Sequence, residues 1–265
     1  MKSNLPQFMY KYTSINKFLY EMLIRGELWF SSPFDFNDPY DSNMPVDFAL
    51  ESYKKTQGFK TDEEFNAYNK SMTGNPGRFY LTLENLRKTV GVCCFSTVQD
   101  NLIMWSHYAE NHKGVLLKFD VSELQKVFSK IQAVAYTNKI KQINYESSPE
   151  NLLSKLLTRK STHWKSEKEV RIVVKKSGHY SFPKNALKEI RFGLKCDHYQ
   201  ERDVIDIIRK FGYNETFFTK VHTTNYDYKL STSLITLSSE YKMYRAMGDQ
   251  EIDIKDIMET LKRRH

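Results

Sequence analysis

The stretch YKYTSINKFLYEMLIRGELWFSSPFDFNDPYD, residues 10–41, decides the fold. With Phe8 and Met9 it opens on the aromatic run FMYKY at 8–12, which reads as a strand. Ser14 or Asn16 can cap a following helix by accepting from the orphan amides of its first turn. Phe18, Leu19, Met22 and Leu23 recur at helical spacing and predict its apolar stripe. Gly26 stands where such a helix ends in a left-handed residue. ELWFSS at 27–32 then reads as a second strand, stopped by Pro33, and FNDPYD supplies an Asn-Asp-Pro turn flanked by rings. The unit is strand, helix, strand, turn.

Outward from this unit, residues 47–90 are more polar and predict a helical insertion, with a Thr61–Glu64 capping box, a GNPG turn at 74–77 and a helix near 79–88. VGVCCFS at 90–96 is a buried-strand candidate. The helix LIMWSHYAENHK at 102–113 is capped by Asp100 or Asn101 and ended by Gly114, with VLLKFD as the next strand. Further strands are expected around Tyr136, at 169–175, at 189–195 and at 217–224. Further helices are expected at 150–158, along Val204, Ile207, Ile208 and Phe211, and along Ile254, Ile257, Met258 and Leu261. Regular βαβ alternation is absent, so the class expected is α+β: one domain over 1–265 with a mixed, mainly antiparallel split sheet, flanking helices and a C-terminal helical extension at about 245–265.

Apolar residues make up 40% and charged residues 27% of 265, enough for an ordinary core and unlike a collagen-like or low-complexity chain. The net charge of +8 favours a polyanion, but the lysines are spread, and a basic solvated surface accounts for the same charge. Cys93, Cys94 and Cys196 are odd in number and form no Cys-x-x-Cys, so neither a disulfide framework nor a zinc site is expected. The sequence shows no secretory h-region and no run of 18 apolar residues, and a cytoplasmic protein without membrane contact is expected.

No Gly-x-Gly-x-x-Gly, Walker loop, Gly-x-Ser-x-Gly elbow or His-Glu-x-x-His occurs, which removes the usual forms of those sites. Three polar-aromatic clusters carry the remaining chemistry. The first is the opening stretch, with Lys11, Tyr12, Ser31, Ser32, Asn37, Asp38 and Asp41; its plainest reading is a good turn. The second is DNLIMWSHYAENHKG, where Trp105 and Tyr108 lie three apart on one helix face and serve equally as core aromatics or as a ligand-facing edge. The third is THWKSEKEVRIVV. Glu167 and Glu169 stand two apart at a strand entrance and would point the same way, with Arg171 on that face to neutralise them; a surface charge ladder fits the same pattern.

In this order the clusters resemble the bacterial domain-of-unknown-function 2971 family, through YKYTS, GELWFSSPFDFNDPYD, VCCFS, DNLIMWSHYAENHKGVLLKFD and HWKSEKEVRIV. More distantly, strand, glycine-ended helix and a strand closing in hydroxyl residues are similar to the opening of the ADP-ribosyltransferase superfamily. That resemblance implies an ADP-ribosyltransferase-like core, NAD as substrate, Glu169 and Glu167 as catalytic carboxylates, and Lys11, Tyr12, Ser31, Ser32, Asn37, Asp38, Trp105 and Tyr108 around the cofactor. The first-strand Arg or His of that superfamily is absent, and Ser-Ser-Pro replaces its Ser-Thr-Ser. A nucleic acid or protein is the implied acceptor, as for a toxin or phage-defence effector. Two other functions stay open: a Mg²⁺-dependent nuclease using Asp38, Asp41, Glu167 and Glu169, and a non-enzymatic nucleic-acid- or protein-binding module.

Overall fold

The computed structural model describes residues 5–42, 58, 60–64, 84–138 and 149–235. They form mixed α and β structure with a large, mainly antiparallel sheet and several helices. The chain divides into two compact units: a first comprising Met1–Leu5, Trp29–Cys94 and Phe128–Tyr180, and a second comprising Pro6–Leu28, Phe95–Val127 and Ser181–His265.

In the second unit, β1 (Phe8–Thr13) runs antiparallel to β4 (Val115–Asp120), from Phe8↔Asp120 to Thr13↔Val115. β4 pairs antiparallel with β10 (Leu187–Phe192), β10 parallel with β11 (Phe217–Thr223), and β11 antiparallel with β12 (Leu230–Leu234). Helix α5 (His198–Lys210) joins the parallel pair, as parallel strands require a crossover. Helix α1 (Lys17–Arg25) is capped by Asn16, whose Oδ1 accepts from Phe18 N at 3.0 Å and Leu19 N at 3.2 Å; Ser14 does not cap it. Gly26 ends it at φ 68°, the left-handed conformation that a residue without Cβ adopts at no steric cost.

The stripe of α1 differs from the expected one. Leu19 and Leu23 are buried, Ile15 precedes them by the same four-residue step, and Phe18 is 63% exposed. In its last turn the Tyr213 hydroxyl donates to Leu23 O at 2.8 Å, a tertiary partner for one of the carbonyls a helix end leaves open.

Helix α2 (Leu102–Tyr108) is also shorter than its sequence pattern. Asn101 caps it, while Asp100 pairs with Arg191 at 3.0 Å. Beyond Tyr108 the residues Glu110, Asn111 and His112 all take positive φ, and Gly114 N returns to Ala109 O at 2.8 Å. A Cβ on Gly114 would stand 2.2 Å from Thr13 O, so the chain passes β1 only as glycine. Trp105 and Tyr12 meet edge to face at 5.3 Å inside a core with Tyr10, Met104, Leu116 and Val221. Helix α3 (Val121–Gln125) follows β4, capped by Asp120.

In the first unit, β5 (Ile131–Ala133) runs antiparallel to β8 (Glu169–Val174), placing Gln132 opposite Arg171. β3 (Gly91–Ser96), whose first four residues belong to this unit, neighbours β8. β6 (Ala135–Thr137) runs parallel to β7 (Arg159–Ser161), placing Tyr136 opposite Lys160. Helix α4 (Pro149–Leu157) lays Leu152, Leu153, Leu156 and Leu157 on Val90 and Val92. β2 (Glu27–Phe30) pairs with β9 (Gly178–Ser181), and Ser31 bridges to Val92.

The expected insertion at 47–90 is described in part. Glu64 N donates to Thr61 Oγ1 at 3.2 Å and Lys60 N to Glu64 Oε2 at 2.8 Å, and residues 84–89 are helical. The GNPG turn, the helix along Ile254–Leu261 and the extension at 245–265 lie outside the described residues. Among the described residues no helix is long and apolar enough to cross a membrane.

Leu23 is fully buried, so Leu23→Ala is expected to cost about 2–5 kcal/mol in denaturant melts. A loss under about 0.5 kcal/mol would contradict the packing of α1.

Candidate functional site

The first unit buries a network of five charged side chains: Asp41, Lys160, Glu167, Glu169 and Arg171, each no more than 6% exposed. Arg171 is at its centre and is fully buried. Its Nε donates to Glu169 Oε1 at 2.7 Å. Nη1 donates to Asp41 Oδ1 and to Leu157 O, each at 2.9 Å, and Nη2 to Asp41 Oδ2 at 2.5 Å and Glu169 Oε2 at 3.0 Å. All five guanidinium N–H groups therefore have acceptors, which is what makes an arginine tolerable at zero exposure. The Phe36 ring lies 5.2 Å from the guanidinium carbon.

Lys160 is the second cation. Its Nζ meets Glu167 Oε2 at 2.7 Å, Glu169 Oε2 at 3.1 Å and Asp41 Oδ2 at 3.5 Å, with the Trp164 ring centroid 5.2 Å away. Burial works against its charge, but Glu169, Glu167 and Asp41 outweigh that and hold its pKa above the ordinary lysine value. Burial likewise opposes the Glu169 carboxylate; Arg171 first, then Lys160, pull its pKa down to about 2. Three carboxylates and two cations thus meet in one buried cluster.

Local structure explains the convergence. Glu169 and Arg171 share a face of β8 by strand alternation, as their spacing implied. Glu167 is not in the strand: it closes a 3₁₀ segment, Thr162–Glu167, and Lys168 turns the chain through φ 43°, ψ 56° before β8 begins. A left-handed kink, rather than an extended run, brings Glu167 to the same ammonium as Glu169. Glu169 N donates to the Tyr136 hydroxyl at 2.8 Å, which ties β8 to β6 at the network. Asp41 arrives from the Asn-Asp-Pro turn, where Asp38 Oδ1 accepts from Tyr40 N at 2.9 Å and Asp41 N donates to Asp38 O at 3.0 Å.

Of the residues expected around a cofactor, Ser31, Ser32, Asn37 and Asp38 lie in the first unit with the two glutamates. Ser32 caps the short turn Pro33–Asp35, Asn37 is exposed, and Asp38 is buried with its Oδ2 lacking a partner. Lys11, Tyr12, Trp105 and Tyr108 lie in the second unit. There Lys11 Nζ sits 5.5 Å from the Phe95 ring, the Tyr12 hydroxyl donates to Val98 O at 3.0 Å, and Tyr108 packs at the margin of the Trp105 core. Lys160 and Trp164 were not singled out from sequence, and Tyr136 was expected only in a strand. Trp164 stood inside the quoted THWKSEKEVRIVV, but nothing marks Lys160 as buried. Among the described residues no group of three or more His, Cys, Asp or Glu side chains could hold a metal ion. The Lys160 ammonium fills the point where Asp41, Glu167 and Glu169 converge.

The family model described as "Protein of unknown function (DUF2971)" matches residues 104–172. Over that segment the chain is similar to this family. The matched segment holds four of the five network residues, Lys160, Glu167, Glu169 and Arg171; Asp41 lies outside it. No curated protein and no solved structure matches the chain.

The depressed Glu169 pKa fixes the sign of an acid effect. An unfolded glutamate titrates near 4.5 and this one near 2, so its stabilisation is complete above about pH 4.5 and is lost as pH falls toward 2. The stability difference between wild type and Glu169→Gln should therefore shrink across that window, by on the order of 3 kcal/mol. Urea melts at several pH values check this; a difference independent of pH would contradict it.

Proposed function

We propose that this chain is an NAD-dependent ADP-ribosyltransferase-like enzyme, with an ADP-ribosyltransferase-like core and its chemistry at Glu167 and Glu169 of the first unit. The observation that carries the reading is the buried Glu169 carboxylate, kept ionised by Arg171 and Lys160. Cleavage of the nicotinamide glycosidic bond sends the bonding pair to the ring nitrogen and leaves positive charge on the ribose. A carboxylate fixed nearby, in a site of low dielectric, lowers the energy of that oxocarbenium-like state. The acceptor then bonds to the anomeric carbon and loses its proton.

In this reading Glu169, its oxygens already bonded to Arg171 and Lys160, acts through its fixed charge. Glu167 orients the acceptor nucleophile, a group on a nucleic acid or protein. Ser31 and Ser32 support the cofactor end. The β1–α1–β2 opening is consistent with the superfamily resemblance. The nuclease reading gains nothing from the network, because its carboxylates converge on an ammonium.

Purified protein incubated with labelled NAD should release nicotinamide and transfer label to cell extract, equally with and without EDTA. Glu169→Gln should lower turnover on the order of 10²–10³-fold, while Glu167→Gln should impair transfer more than NAD hydrolysis. Thermal melts of each variant establish that the loss is not unfolding. Absence of nicotinamide release from folded wild type with every extract fraction would overturn the proposal. Cleavage of nucleic acid that EDTA abolishes would instead favour the nuclease.

A further inference from the structure

The second unit holds a cleft of about 580 Å³ that takes no part in the proposed chemistry and is of the size of a small-molecule site. The strand register makes it. Phe192, the last residue of β10, pairs with Lys220, so β11 continues past the end of β10 through Thr223, beside β12. The chain meanwhile leaves β10 through residues 193–197 and begins α5 at His198. A recess is left beyond the carboxyl end of β10, the end at which parallel strands joined by a crossover helix ordinarily take ligands. Lys195 and His198 line it from the loop and α5, Lys220 and His222 from β11, and Ser233 from β12. Lys220 and His222 share a face by strand alternation, and Ser233 is paired opposite Lys220. Val221, on the other face, packs in the Trp105 core.

The polar groups of this lining are unequally engaged. Lys220 pairs with Glu201 and donates to Cys196 O at 3.0 Å. Asp197 caps α5, accepting from Tyr199 N at 2.9 Å. Both carboxylates of the lining are thus committed. Lys195 makes no hydrogen bond or ion pair among the described residues. His222 Nε2 lies 2.7 Å from Ser233 Oγ, which orients the ring and leaves Nδ1 unused among the described residues. The His198 ring is held against Tyr199, their centroids 4.0 Å apart. One unpaired ammonium and two imidazoles therefore border the same cleft. We infer that it binds a small phosphate monoester, with the phosphate seated against Lys195, His198 and His222. A terminal phosphate carries up to two negative charges and three acceptor oxygens, which match an ammonium and two imidazole donors. A diester has one charge and two free oxygens and matches them less well. The site lies in the second unit and does not depend on the NAD chemistry proposed for Glu169.

Phenyl phosphate and its methyl diester, methyl phenyl phosphate, present the same ring and differ by one charge. Isothermal titration of the full chain should show the monoester binding at least about tenfold more tightly than the diester. Bound monoester should slow acetylation of Lys195, followed by mass spectrometry, several-fold while leaving exposed Lys165 unchanged. Lys195→Ala and His222→Ala change exposed side chains, so both should keep the wild-type thermal melt, and each should weaken monoester binding about tenfold. Absence of binding, equal affinity for the two esters, full affinity in either variant, or a bound monoester that leaves Lys195 unprotected would each overturn the inference.

Discussion

The first unit depends on one interaction, the Arg171 guanidinium held between Asp41 and Glu169 at zero exposure. Moving a charge of that size out of water costs several kcal/mol, which only close, geometrically matched partners offset. The partners come from far apart in sequence: Asp41 from the Asn-Asp-Pro turn, Glu169 from the same strand, Leu157 O from the end of α4. Removing any one would leave a buried charge uncompensated. The network therefore fixes where the turn, α4 and β8 meet, and with them the orientation of Glu167 and Glu169.

The second unit uses the same device with different surroundings. Glu189 and Arg191 stand two apart on β10, both buried, with Arg191 Nε donating to Glu189 Oε1 at 3.0 Å. There Thr219 and Lys118 complete the glutamate, and Asp100 and Gln99 complete the arginine. Lys118 and Arg191 face Glu189 and Asp100 there, two cations with two carboxylates.

Elements with a local signal were legible in the sequence. The β1–α1–β2 opening, Gly26 as a left-handed cap, the Thr61–Glu64 box and the β8 strand follow from caps, spacing and turn residues. What was not legible depends on distant partners. Asn16 and Asn101 cap their helices where Ser14 and Asp100 offered the same chemistry, and the Asp100 side chain is instead taken by Arg191. Phe18 fitted the helical period and is exposed, because periodicity gives a stripe but not its phase. The helix after Asn101 stops at Tyr108, although its pattern runs on, since Gly114 must return against Thr13. Within the candidate site, the Glu-x-Glu-x-Arg spacing was visible and its alternation correct for Glu169 and Arg171. The kink at Lys168 was not, because lysine carries no preference for the left-handed region. Burial of Lys160 had no signature at all: a lysine between Arg159 and Ser161 reads as solvent-facing until three carboxylates are found around it.

The central claim is that Asp41 and Arg171 act as one unit that holds the glutamates in place. A double-mutant cycle with Asp41→Asn, Arg171→Met and the pair, measured by urea unfolding, tests it most directly. Each single variant should be strongly destabilised by the partner left behind, and the pair should be less destabilised than the sum, with a coupling on the order of 2 kcal/mol or more. Additivity within about 0.5 kcal/mol would show that the two residues contribute independently and would contradict the account.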